Sequence, residues 1–232
     1  MVNVLAVSDE TVEFLWSSRV RDLGVDLVLG AGDLPFSYLE YLSDQLNAPC
    51  VFVPGNHDVD LSGYSESASG WTRAGMPAHW PGPTGAVNAD GRIVSAAGLR
   101  IAGLGGSIRY NSGSNQFSER QQRRRARSLA WGNAWQSQLP GRTRTVDVLL
   151  THSPARGVGD AEDQPHRGFE CFHSLVDSLD PAVMIHGHIH PHGRTPPDLE
   201  IGRTLVLNTV GYTLMDISPG IPPTIMRRRH GS

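Results

Sequence analysis

A chain of 232 residues, 39% hydrophobic and 19% charged, is long enough for one large α/β core and too apolar for extended disorder. Its formal charge of −3 argues against nucleic-acid binding by bulk electrostatics, and because all 20 basic residues are arginine no catalytic lysine exists. No run approaches the roughly 20 apolar residues of a membrane span and no basic leader is visible, so a cytoplasmic protein without membrane association is expected.

Val2–Val7 is nearly all apolar, as a strand buried on both faces is, and it leads into Asp9-Glu10-Thr11. From Thr11 to Leu23, Val12, Leu15, Trp16, Val20 and Leu23 share one helical face, with Gly24 as the stop. The plan repeats with a strand at Val25–Leu29, a tight turn at Gly30–Asp33 and a helix at Phe36–Leu46 that turns Tyr38, Leu39, Leu42 and Leu46 inward. Val51–Val53 reads as a third strand, stopped by Pro54-Gly55 and followed at once by Asn56, His57 and Asp58. Such alternation predicts βαβ units and a mostly parallel sheet.

Residues 60–91 are rich in Gly, Ser and Pro and show no clear period, which predicts a surface insertion overhanging the site. Ile93–Ala96 and Leu99–Leu104 read as a hairpin. Ser118 to Leu139 reads as a helix whose Arg120, Arg123, Arg124, Arg125 and Arg127 form a solvated face. Val146–Leu150 is a strand ending in Thr151-His152, Phe169 to Leu179 has helical period, and Val183–Ile185 runs into His186-Gly187-His188-Ile189-His190. Leu205–Leu207 and Tyr212–Ile217 supply closing strands, and Arg227 to Arg229 a frayed end. Nothing divides the chain, so 1–232 is read as a single domain. Cys50 and Cys171 are expected to be buried free thiols.

Five strands therefore end in Asp9, Asp33, Asn56, His152 and the pair His188/His190, and in open α/β sheets the ligand site lies at those ends. Taken singly, each has a bland reading: Asp9 a helix cap, Asp33 a turn carboxylate, His152 a core histidine, His188 and His190 loop histidines. Their conjunction favours a metal centre. Carboxylate, amide and imidazole donors without thiolate suit Mn, Fe or Zn, and two such ions about 3.5–4 Å apart would clamp a phosphoryl group and generate hydroxide between them.

GAGD (Gly30–Asp33), GNHD (Gly55–Asp58), His152 and GHIH (Gly187–His190) together resemble the calcineurin-like metallophosphoesterases. The resemblance implies a four-layer αββα sandwich and a two-metal hydrolase of phosphate esters; a small diester is the favoured substrate, but no feature of the sequence fixes the leaving group. Carried over by position, Asp33 would bridge the two divalent ions, Asn56, His152 and His188 would complete one site, and Asp9 and His190 would belong to the other. His57 would serve as general acid or donor to the leaving group, with the Asp58 carboxylate beside it to orient the ring. Arg109, Tyr110, His166 and Arg167 are candidate substrate contacts, Arg because it reads phosphate oxygens bidentately; an ion pair with Asp163 or Glu162 is the alternative for Arg167. One position departs from the family pattern. Thr11 stands where Asp-x-His would place an imidazole, so one ion is expected to be held more weakly, with water, Glu10 or His192 in the missing place; Glu10 itself is expected to face away from that ion. A degenerate scaffold that binds a protein partner is the competing expectation, and nothing in the sequence fixes the oligomeric state.

Overall fold

The computed structural model describes residues 1–68, 70–136 and 145–229. Two six-stranded sheets face each other. The first runs Ile221–Arg229, Gly211–Ser218, Val2–Ser8, Leu27–Gly30, Cys50–Phe52, Ala86–Asn88, and its last four strands are parallel. The second runs Leu199–Ile201, Thr204–Asn208, Val183–His186, Val148–Thr151, Leu99–Leu104, Ile93–Ala96, with its inner four strands parallel.

The apolar runs of the sequence follow from this stacking. Val4, Ala6, Leu27, Leu29, Val51, Val148, Leu150, Val183 and Ile185 fill the space between the sheets. Their neighbours point the other way: Leu5, Val7, Val28 and Phe52 pack beneath helix Phe36–Leu46, and Leu149 and Met184 beneath helices Glu119–Gln136 and Cys171–Leu179. Successive strand residues face opposite sides, so a strand covered on both must be apolar throughout. The order helix, sheet, sheet, helix is the four-layer sandwich. Cys50 and Cys171 are both buried and unpaired, as expected.

Three expectations need correction and a fourth gains detail. Thr11–Leu23 is not one helix: Leu15 and Trp16 turn back onto the Val12 carbonyl, Ser17 is extended (φ −131°, ψ 163°), and only Ser18–Leu23 winds, as a 3₁₀ helix. The Ser17 hydroxyl donates to the Phe14 carbonyl at 2.7 Å, the local competition that makes serine a poor helix interior. Val12, Leu15 and Val20 are buried nonetheless, while Trp16 stacks on Tyr38 and Tyr41 at the surface. Within residues 60–91, read as a surface insertion, Tyr64–Ser67, Gly70–Arg73 and Met76–Pro77 pair into a small antiparallel sheet and Ala86–Asn88 joins the edge of the first large one. Their side chains are mostly exposed, so no hydrophobic period marks them. Trp71 and Trp80 stack at 4.1 Å between ring centres and share a cleft with Pro54 and Asn115, beside the turn that carries Asn56.

Arg227 to Arg229 is no frayed end but part of the edge strand Ile221–Arg229, where Pro222 and Pro223 are tolerated and Arg228 pairs with Asp198 at 2.7 Å. Finally, the arginine-rich helix spans Glu119–Gln136, and the expected turn at 137–139 lies outside the described residues. Arg120, Arg123, Arg124 and Arg127 are exposed as read, but Arg125 turns inward over the Phe117 ring and pairs with Asp90.

Candidate metal centre

Parallel strands bring their C-terminal ends to one edge, and here the edges of both sheets meet. Asp9, Asp33 and Asn56 follow three adjacent strands of the first sheet, and His152 and His188 follow two adjacent strands of the second. The His152 Nδ1–H donates to the Ala31 carbonyl (2.8 Å) and the His188 backbone N–H to Asp9 Oδ2 (2.9 Å), which ties the two sheets together at the site.

The local backbone is unusual there. Asp9, Asp33 and His188 all have positive φ (58°, 55° and 67°), a conformation costing on the order of 1–3 kcal/mol at each non-glycine residue. The glycines of the motifs are required by close approach: a Cβ on Gly55 would lie 2.0 Å from Asp33 Oδ1, and one on Gly187 would lie 2.3 Å from Asp9 Oδ2.

Hydrogen bonds fix which atom of each side chain faces inward. With Nδ1–H on Ala31, His152 presents Nε2, which lies 3.0 Å from Asn56 Oδ1 and 3.3 Å from Asp33 Oδ2. Asn56 Nδ2–H donates to the Tyr110 hydroxyl (3.2 Å), so its oxygen is the atom turned to His152. The other histidine is held the opposite way, because His188 Nε2–H donates to the Pro165 carbonyl (2.8 Å) and leaves Nδ1 inward. Donor atoms of Asp33, His152 and His188 all lie within 4.8 Å of one another. Oxygen and imidazole nitrogen atoms gathered this closely on largely buried side chains fit a divalent cation.

The charges point the same way. Burial is the largest influence on Asp9 and raises its pKa, and the nearby Asp33 carboxylate raises it further. Burial would also raise Asp33, but the His152 ring and the His57 backbone N–H outweigh it and hold Asp33 below the ordinary carboxylate range. Burial disfavours a charged His152, yet Asp33 and Asp9 bring its pKa up to about 9. A proton on His152 is thus the positive charge that two buried carboxylates demand, and a bound cation would replace it. His188, desolvated and beside His152, is lowered to about 3 and stays neutral, as a ligand must.

The remaining expected residues are arranged around this centre. His57 is exposed, while Asp58 is half-buried and its Oδ2 accepts the backbone N–H of Gly55 (2.7 Å) and of Asp33 (3.1 Å). That carboxylate, raised to about 6 chiefly by burial, therefore closes the turn that presents Asp33. His190 is 39% exposed, with Nε2 3.9 Å from Asp9 Oδ1 and Nδ1 3.2 Å from Glu10 Oε1. Glu10 thus lies on the far side of the His190 ring from Asp9, reached because the chain turns at Asp9 in a left-handed conformation rather than by the alternation of an extended strand. Thr11 is exposed. Arg109 donates to the Gln116 carbonyl and Gln121 Oε1, His166 pairs with Asp163 at 2.6 Å while its ring lies 5.3 Å from that of His188, and Arg167 donates to the Glu162 backbone carbonyl rather than to either acidic side chain. Sequence reading missed the backbone carbonyls of Ala31 and Pro165, which no residue pattern announces.

The sequence matches the calcineurin-like phosphoesterase family over residues 8–192. Among solved structures, one is 15% identical with a TM-score of 0.63, covering 98% of this chain and 99% of that one. TT1561 of Thermus thermophilus is also 15% identical, with a TM-score of 0.59 over 95% of this chain and 98% of its own. A single mutant of Vps29 from Entamoeba histolytica aligns at 14% identity and a TM-score of 0.44, covering 97% and 98%. No curated protein sequence matches. No helix among the described residues is long and apolar enough to cross a membrane.

Proposed function

The chain belongs to the calcineurin-like phosphoesterase family, and from that premise we propose that it hydrolyses small phosphate esters, diesters in preference to monoesters, with two divalent ions (Mn, Fe or Zn) bound at the strand ends. The observation that carries the reading is the convergence of Asp33, His152 and His188, each with its inward atom fixed by a separate hydrogen bond. Asp33, Asn56, His152 and His188 would hold one ion; Asp33, Asp9 and His190 the other. Ions held there supply Lewis acidity toward the phosphoryl oxygens and an activated water.

The chain's own groups do the rest. His57 stands exposed on a turn whose backbone is tied to Asp33 (2.8 Å), so its ring can donate a proton or a hydrogen bond to the departing oxygen without being a ligand. Tyr110 sets the Asn56 amide. Arg109 and Arg167 donate to neutral acceptors and so keep their positive charge, while His166 pairs with Asp163; the preference between diester and monoester is read from the substrate panel. A panel of aryl phosphate mono- and diesters, with added Mn and with chelator, tests the reading. Metal-dependent turnover favouring diesters is expected. No turnover above the chelated control would instead leave a scaffold with this fold.

A further inference from the structure

Of the three candidate ligand histidines, His190 is the one that is not buried, and its ring lies between two carboxylates. Nε2 faces Asp9 Oδ1 at 3.9 Å, and the opposite ring nitrogen, Nδ1, lies 3.2 Å from Glu10 Oε1. A carboxylate at Nδ1 requires the proton to sit there. In the neutral ring, the form that binds a metal, this leaves the Nε2 lone pair directed at the Asp9 side, where a ligand lone pair is needed. His152 and His188 have their non-ligating nitrogens fixed by main-chain carbonyls, of Ala31 and Pro165. Among these histidines His190 alone has a charged side chain in that place, and it is the one whose ring, 39% exposed, would otherwise be free to turn in solvent.

We infer that Glu10 is the positioning residue of the second cation site: it fixes His190 as the Nδ1–H tautomer and holds Nε2 toward Asp9, in a half-site where Thr11 supplies no imidazole. Glu10 acts through His190 and is not itself a ligand, since its oxygen lies at the ring nitrogen turned away from the cation. The inference rests on the two-cation reading above.

The test is a calorimetric titration of metal-free protein with Mn²⁺, alongside two-bond ¹H–¹⁵N NMR of the His190 ring without metal. For Glu10→Ala the second Mn²⁺ should bind about 10–100-fold more weakly, the first should be unchanged, and His190 should become a mixture of tautomers. Glu10→Gln keeps an acceptor oxygen and should retain the Nδ1–H tautomer and most of the affinity. An unchanged His190 tautomer in Glu10→Ala would overturn the inference. So would a Glu10→Gln protein that loses the second ion as fully as Glu10→Ala with its tautomer intact, since Glu10 would then be a ligand. Failure of the wild type to bind any Mn²⁺ would remove the phosphoesterase reading instead, and the metal-free NMR arm would still decide the role of Glu10.

Discussion

The two halves of the centre are built differently. Around Asp33, Asn56, His152 and His188 the donor side chains are almost wholly enclosed, and each is set by a hydrogen bond from another part of the chain. Around Asp9 and His190 one donor is buried and the other half exposed, Thr11 stands where a third would be expected, and a carboxylate supports the ring from outside. Enclosure and preset orientation reduce the ordering cost of binding, so the first half should hold a cation tightly and the second should exchange.

The largest effect should come from the residue the halves share. Asp33→Ala should empty both sites and bring turnover down to the chelated control, with metal content measured by mass spectrometry; retention of one ion would show that Asp33 is not a bridge. Next comes His57→Ala, expected to lose about 100- to 1,000-fold in kcat with both ions retained, which separates the chemistry from either half. His190→Ala should sharpen the contrast. It should weaken only the second ion, by more than the about 10–100-fold that losing an orienting partner costs, and excess Mn should restore activity.

A pH test probes His152, in the tight half. His152 has its pKa raised from 6.5 to about 9 by Asp33 and Asp9 against the opposing effect of burial. In metal-free protein its contribution is fully present below pH 6.5 and is lost as pH rises through 9, a change on the order of 3 kcal/mol. Denaturation of the metal-free wild type should show that fall, and His152→Asn should lack it. The smallest effect is expected for Tyr110→Phe, which removes the acceptor for the Asn56 amide; about 1 kcal/mol, or roughly fivefold in affinity for the first ion, is the scale of one such bond.

Much of this asymmetry was legible in the sequence, and the reasons are physical. Strands covered on both faces must be apolar, so the strands ending at Asp9, Asp33, Asn56, His152 and His188 could be found from composition alone. The glycines of GNHD and GHIH marked where side chains crowd the backbone, as the contacts of Gly55 and Gly187 show. The Thr11 departure pointed to the half whose histidine is the more exposed. What was not legible depended on conformation beyond local pattern. The left-handed turn at Asp9 swings Glu10 toward His190, and nothing in the residues 9–11 announces it. The small sheet in residues 60–91 escaped because exposed strands need no apolar period, and Thr11–Leu23 because Ser17 satisfies its hydroxyl locally.

The most direct test of the account is a stepwise Mn²⁺ titration of chelator-stripped protein in which bound metal and hydrolysis of an aryl phosphodiester are followed together. Two binding steps of unequal affinity are predicted, with turnover rising along the second, weaker step. Two ions bound with equal affinity, or two ions bound with no turnover at all, would contradict it.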